Sequence, residues 1–275
     1  MIISCFIYTG YHIALQLASS GVFTNVIMAC RDESRGNAAL SQIKKELSLL
    51  SSSSYPCEVS CIPLVVGDAK SHSTFRKTIQ ERFHKVDVLV NNAAMAFKGS
   101  STVSFVGQCK PTLDVNFRGT LDFTEEMLPL IRRVNGGDAR IVNVASMAGK
   151  LSQIKNTELR QRFESEKLTM EELRSMVNSF ESDVSRGVHK EVGWGGSNYG
   201  MSKLALIAAT KVWATDEAVN NVKVNCCCPG YCDTDMTSHR GPRHPGDGAG
   251  NAVLPATMEK CPTGAFFQDM SVSQW

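Results

Sequence analysis

The chain of 275 residues, with 43% hydrophobic and 20% charged side chains, is long enough to bury a sizeable core and too apolar to stay disordered. Its 29 lysines and arginines stand against 27 aspartates and glutamates, and no basic run has the charge density that grips a phosphate backbone, which argues against nucleic acid as a partner. The apolar start, residues 2–8, falls far short of the roughly 20 residues of a membrane span, which argues against a membrane.

In chain order, strand-like apolar runs alternate with helical periodicity. Residues 2–8 read as a first strand, without the basic flank of a targeting signal, and residues 11–20 as the first helix. Strand 25–30, helix 34–50, a surface loop at the serine tract Ser51 to Ser54, strand 58–66 and helix 71–85 follow. In that helix Phe75, Ile79 and Phe83 recur every four residues, which predicts one apolar stripe against a sheet. Next come strand 86–93, helix 111–133 and strand 140–146.

Residues 150–195 break the rhythm. The stretch 150–192 holds eight basic and eight acidic residues with few β-branched ones, which predicts an inserted helical unit. Thr169 and Glu172 have capping-box spacing, and Leu173, Met176, Val177, Phe180 and Val184 follow along one helical face. That pattern predicts a helix packed on the domain, with a partner-binding helix as the alternative. Helix 198–219, strand 222–228, a mobile loop rich in Gly, Pro and His at 241–250 and a strand at 265–268 complete the chain. The alternation predicts an α/β fold, a parallel sheet with helices on both faces, and one domain over residues 1–275.

The ten cysteines lie mostly in apolar runs, which predicts structural thiols, a reducing compartment and a cytoplasmic protein. Cys226, Cys227, Cys228 and Cys232 are not expected to bind metal. Successive strand residues point to opposite faces, and no histidine stands at a ligand-like spacing.

The strongest chemical signal is Tyr199 with Lys203, four apart on a predicted helix and therefore on one face. An ammonium close to a phenol stabilises phenolate and lowers the tyrosine pKa toward the range of a working acid or base. Ser146 ends a strand, where the ligand crevice of an open α/β sheet lies, and its hydroxyl is placed to hydrogen-bond a substrate oxygen. Asn91 and Asn92, followed by Ala93 and Ala94, end the fourth strand with polar amides and small residues beside which a flat ligand fits. Asn116 sits mid-helix, where asparagine has poor propensity, either as a locally satisfied polar residue or with a special role.

The order Asn91-Asn92-Ala93-Ala94, Asn116, Ser146, Tyr199-x-x-x-Lys203 and Pro229-Gly230 resembles the short-chain dehydrogenase/reductase family over essentially the whole chain. Within it the chain is most similar to the monomeric NADPH-dependent carbonyl reductases, because 53 residues separate Ser146 from Tyr199 and the terminal Gln274-Trp275 matches that branch. The resemblance implies a Rossmann-like doubly wound sheet and NADPH-dependent reduction of ketones, aldehydes or quinones to alcohols or hydroquinones. It implies Tyr199 as proton donor, Ser146 as the group that orients the carbonyl oxygen, and Lys203 on the nicotinamide ribose. Asn116 would hold a water in the proton relay. Around the cofactor it implies Gly10, Arg31, Arg35, Asp68, Asn92, Cys232, Asp233 and Thr234. Arg31, where NAD enzymes carry an acidic residue, and Arg35 one turn on suit a 2′-phosphate. Met147, Trp194, Tyr231 and Met236 flank the catalytic positions and are expected to wall the substrate, alongside Ser146.

Two features depart from the pattern. Ala94 stands where the family usually has glycine, and the glycine-rich turn after the first strand is reduced to Gly10, so residues 1–10 are an atypical or truncated start. Either the sequence is cut short at its start, or the chain binds cofactor weakly and serves as a binding or regulatory relative. A reductase of one steroid, prostaglandin or sugar is a further alternative. The insertion resembles one that covers the oligomer-forming helices of the family, which predicts a monomer.

Overall fold

The computed structural model describes residues 1–4, 7–49, 57–134 and 139–275. The loop expected at Ser51 to Ser54 lies outside the described residues. Eight strands form one sheet: β1 (Ile2–Ser4), β2 (Asn25–Cys30), β3 (Glu58–Pro63), β4 (Val88–Asn91), β5 (Ala139–Val144), β6 (Val222–Cys227), β7 (Phe266–Gln268) and β8 (Ser271–Ser273). Their order is β3-β2-β1-β4-β5-β6-β7-β8, parallel throughout except for β8, which returns antiparallel on β7. The helices are α1 (Ile7–Ser19), α2 (Glu33–Leu49), α3 (Ala69–Phe83), α4 (Phe105–Leu113), α5 (Thr120–Ile131), α6 (Thr157–Glu164), α7 (Met170–Ser185), α8 (His189–Val192), α9 (Asn198–Asp216) and α10 (Pro245–Thr257).

Strand residues alternate between two cores, as period-two geometry requires. Ile27, Leu89 and Ile141 pack with Phe75 of α3, Phe123 of α5 and Leu204 of α9. Val26, Val90 and Val142 pack on the opposite face with Ile13 of α1, Ile43 of α2 and Ala252 of α10. Each such buried Val, Leu, Ile or Phe side chain contributes about 1.5–3 kcal/mol. Because β1 pairs with both β2 and β4, the strand order reverses there, and the crevice where such sheets take ligands opens at the carboxyl ends of these strands.

Several expectations from sequence need correction. The first strand stops at Ser4, and from Ile7 the chain is helical, because a short apolar run carries no period that separates strand from helix. Helix 111–133 starts earlier, at Phe105, where Ser104 caps it through the Gly107 amide, and it runs through a π-helical segment, Asp114–Gly119. The mobile loop expected at 241–250 is half helix. The His244 ring accepts the Gly246 amide at 3.1 Å, Pro245 opens α10, and Gly248 lets the helix approach Cys232 and Pro229 so closely that a Cβ would sit 2.4 Å from the Cys232 sulfur. Strand β8 had no sequence signal, since its hairpin turns on Asp269 and Met270, both left-handed, rather than on a glycine.

The inserted segment contains α6, α7 and α8. Thr169 caps α7 by accepting the Glu172 amide at 3.1 Å, and Leu173, Met176, Val177, Phe180 and Val184 are all buried against the core that includes α9. This apolar face is covered from within, which removes the partner-binding alternative for it.

Candidate active site at the carboxyl ends of the strands

Ser146, two residues beyond β5, is extended, and its Oγ accepts the Ala148 amide at 3.1 Å, opening a short 3-10 turn, Met147–Gly149. That turn is pressed directly on α9: a Cβ on Gly149 would lie 2.7 Å from backbone atoms of Lys203 and Leu204. On the far side the Trp275 indole N–H donates to the Gly149 carbonyl at 3.0 Å, and the Lys211 ammonium covers the indole ring at 4.1 Å. The loop bearing Ser146 is thus clamped between α9 and the Trp275 side chain.

Tyr199 stands in the first turn of α9, which Ser197 caps through the Gly200 amide at 2.9 Å. Its phenol hydrogen-bonds Ser146. Lys203, one turn on, is buried, donates from Nζ to the Val144 carbonyl at 2.7 Å and lies 5.7 Å from the centre of the Tyr199 ring. The electrostatics differ from the sequence expectation. Burial pushes the phenol up to about 12, opposed by the Ser146 hydrogen bond, and burial brings the ammonium down to about 8. The tyrosine is therefore held in its protonated form at neutral pH.

Asn116 lies in the π-helical segment, fully buried. Its amide donates to the Met95 carbonyl at 2.8 Å and to the Ser202 hydroxyl at 3.0 Å, and its Oδ1 accepts the Met95 amide at 2.7 Å. Both amide hydrogens are spent on protein, so the side chain is a strut joining the loop after β4 to α9, with one Oδ1 lone pair left for a water. Beneath it runs a buried ladder that sequence reasoning missed. The Asn91 amide donates to Thr124 and to Asn143, each at 2.8 Å, and the Asn143 amide donates to Thr210 at 2.9 Å. A strand asparagine facing a strand asparagine was the available signal, but the pairing of β4 with β5 that matches them is tertiary.

Two cavities meet at Tyr199. The inner one, about 160 Å³, is lined by Tyr8, Thr9, Gly10, Arg35, Asn92, Lys203 and Thr234, among others. The outer one, about 430 Å³, is lined by Ser146, Phe97, Tyr231, Cys232 and Met236, among others. Tyr231 and Met236 thus stand where a substrate wall was expected. Two other expected wall residues do not. Trp194 is buried at 4% exposure, donates to Asp183 at 2.8 Å and packs edge-on against Phe163 and Phe180, because it closes the core of the insertion. Met147 packs with Cys226, Ile207 and Phe266 below the turn and lines neither cavity.

Of the expected cofactor contacts, Arg31, Asp68 and Asp233 also line neither cavity. Asp68 caps α3 by accepting the Ser71 amide at 2.8 Å, Asp233 faces His239 at 2.7 Å, and Arg31 is exposed just after β2. Arg35 is exposed, with a loose 3.9 Å pairing to Asp32. Tyr8, missed by sequence reasoning, hydrogen-bonds Asp235 across the inner cavity and stacks edge-on against His239. The described cysteines are free thiols, and no cluster among the described residues is arranged to hold a metal ion. No described helix is long and apolar enough to cross a membrane.

A doubly wound parallel sheet whose crevice joins a serine, a tyrosine and a lysine one helical turn from it defines an α/β protein of the dehydrogenase class. The sequence model of the short chain dehydrogenase family matches residues 9–158 and 184–244, leaving out most of α6 and α7. The chain belongs to that family. It is 35% identical to carbonyl reductase (NADPH) 1 of Bos taurus over 91% of this chain and 89% of that one, and 34% identical to its Homo sapiens counterpart over the same shares. Among solved structures, salutaridine reductase from Papaver somniferum superposes with a TM-score of 0.83 at 25% identity, over 97% of this chain and 98% of the other. Menthone neomenthol reductase from Mentha piperita gives 0.78 at 27% identity, over 96% and 97%.

Proposed function

We propose that this chain is an NADPH-dependent carbonyl reductase that converts ketones, aldehydes and quinones to alcohols or hydroquinones. The observation that carries the reading is the convergence of Ser146, Tyr199 and buried Lys203 where the two cavities meet. The relatives named for NADPH and carbonyl reduction, alike over nine-tenths of the chain, support it.

The residues present fit the cofactor in chemistry. Asn92, Thr234, Tyr199 and Lys203 border the inner cavity and would hold the nicotinamide end. The amino end of α1, whose Thr9 and Gly10 line the inner cavity, would face a pyrophosphate, and Arg35, with Arg31 nearby, suits a 2′-phosphate. Bound there, NADPH would supply the hydride. Ser146 donates a hydrogen bond to the substrate oxygen, and Tyr199 gives that oxygen its proton as negative charge develops on it. Lys203 holds positive charge beside the phenol and favours the tyrosinate left behind, while Asn116, through Ser202 and Met95, keeps α9 and the loop after β4 in register. Tyr231 and Met236 border the space left for the substrate body.

The chain acts as one catalytic unit over 1–275, with 150–195 as a helical insertion. The insertion packs α7 on α9, which supports a monomer, to be checked by light scattering. Free thiols throughout the described residues support a reducing, cytoplasmic setting.

The decisive assay is NADPH oxidation by the purified chain with a simple quinone. Tyr199→Phe is expected to lower turnover by about 10²–10⁴ while stability stays within about 1 kcal/mol. Undiminished turnover in that variant would refute the assigned proton donor. A second reading, a binding protein that retains the fold, is favoured by the Tyr8–Asp235 contact across a narrow inner cavity. Failure of NADPH to raise the melting temperature would select it.

A further inference from the structure

The outer cavity is asymmetric in charge. Among the residues that line it, the charged ones are Lys98 and Arg240, both cationic and both at its rim, while Phe97, Tyr231 and Met236 give it apolar walls. The two nearby acids are otherwise engaged. Asp233 faces the His239 ring at 2.7 Å, and Asp235 is shared by His239 at 3.2 Å, by the Tyr8 phenol and by the field of Lys98.

Arg240 differs from the arginines around it. Arg243 is paired with Asp269 and Arg35 loosely with Asp32, whereas the Arg240 guanidinium has no carboxylate or hydrogen-bond partner among the described residues. The backbone leading to it is unusual as well. Ser238 and His239 are consecutive left-handed residues, φ 54° and 58°, each a conformation that costs a non-glycine residue of order 1 kcal/mol. That bend sends His239 onto the two aspartates and leaves Arg240 on the cavity wall.

Resting on the reductase reading above, we propose that the preferred carbonyl substrates are oxo acids: an apolar body with the reducible carbonyl at Ser146 and Tyr199, and a carboxylate at the other end seated on Arg240. A guanidinium fork matches a carboxylate with two parallel hydrogen bonds. Lys98 on the same rim adds a second positive charge that favours an anion there. The carboxylate takes no part in the chemistry, which still moves one hydride to the carbonyl carbon and one proton to its oxygen.

The test compares a 4-aryl-4-oxobutanoate with its methyl ester, with NADPH in excess. The acid is expected to have the higher kcat/KM by about fivefold, the upper end for a partly exposed ion pair, and high salt should erode the preference. The acid-to-ester ratio should fall toward one in Arg240→Gln and be partly kept in Arg240→Lys. A ratio near one in the unmodified protein, or one unchanged in Arg240→Gln, overturns the proposal. If the simple quinone and the ester are both reduced but the acid is not preferred, only the oxo-acid assignment falls. If no carbonyl compound is reduced at all, the reductase reading fails and takes the assignment with it.

Discussion

On the β5–α9 side of the crevice each polar side chain is held by buried partners. Lys203 is bonded to Val144, Asn116 to Met95 and Ser202, and the Thr124–Asn91–Asn143–Thr210 ladder lies beneath them. On the β1–α2 side the groups are loosely tied: exposed Arg35 pairs with Asp32 at 3.9 Å, and half-buried Tyr8 spans the gap to Asp235. The contrast teaches that the proposed chemistry and the proposed cofactor grip are secured by different means in this molecule. The first relies on fixed geometry in a dry interior, where an unpaired group is costly, and the second on charge at a solvated edge, where each contact is worth little.

That comparison can be broken from either side. The largest effect is expected for Ser146→Ala, which removes one donor to the developing oxyanion: kcat should fall by about 10²–10³ with the denaturation midpoint nearly unchanged. A loss confined to KM would mean that Ser146 binds rather than catalyses. Next, Asn143→Ala strands the Asn91 amide and Thr210 in the interior and should cost about 2–3 kcal/mol in urea unfolding, however kcat responds. A cost below about 0.5 kcal/mol would show that the ladder is dispensable. On the exposed side, Arg35→Glu should raise KM for NADPH by about tenfold and leave KM for NADH nearly unmoved, with no change in stability. Equal effects on both cofactors would remove Arg35 from the 2′-phosphate.

The smallest shift is in pH dependence. Lys203 titrates at about 8 in the fold against 10.5 unfolded, so between those values the unfolded chain binds more protons and stability rises with pH. From pH 7.5 to 8.5 the unmodified protein should gain on Lys203→Met, by less than about 1.4 kcal/mol over that single unit. A loss in that window would mean that the ammonium is stabilised rather than penalised by its burial.

Much of the site was legible in sequence because its spacing is local. Tyr199 and Lys203 share a helix face, and Ser146 follows a strand with an unmistakable apolar run. Trp194 and Met147 were misjudged for the opposite reason: nearness in sequence to a catalytic residue says nothing about which way a side chain points once the loop is clamped. Trp275 was visible as a residue, but its hold on Gly149 joins positions 126 apart. Tyr8 and Arg240 carry no pattern at all, since each matters through what stands across a crevice.

The sequence by itself determined the alternation of strands and helices, the two-faced sheet, the insertion and the family, because period and short-range spacing survive in one dimension. Tertiary structure alone decided that burial outweighs the Ser146 hydrogen bond at Tyr199, that residues from Pro245 form a helix rather than a loose loop, and which arginine at the crevice lacks an acid. Those outcomes depend on desolvation and on contacts between distant segments, and neither exists until the sheet has closed its two cores.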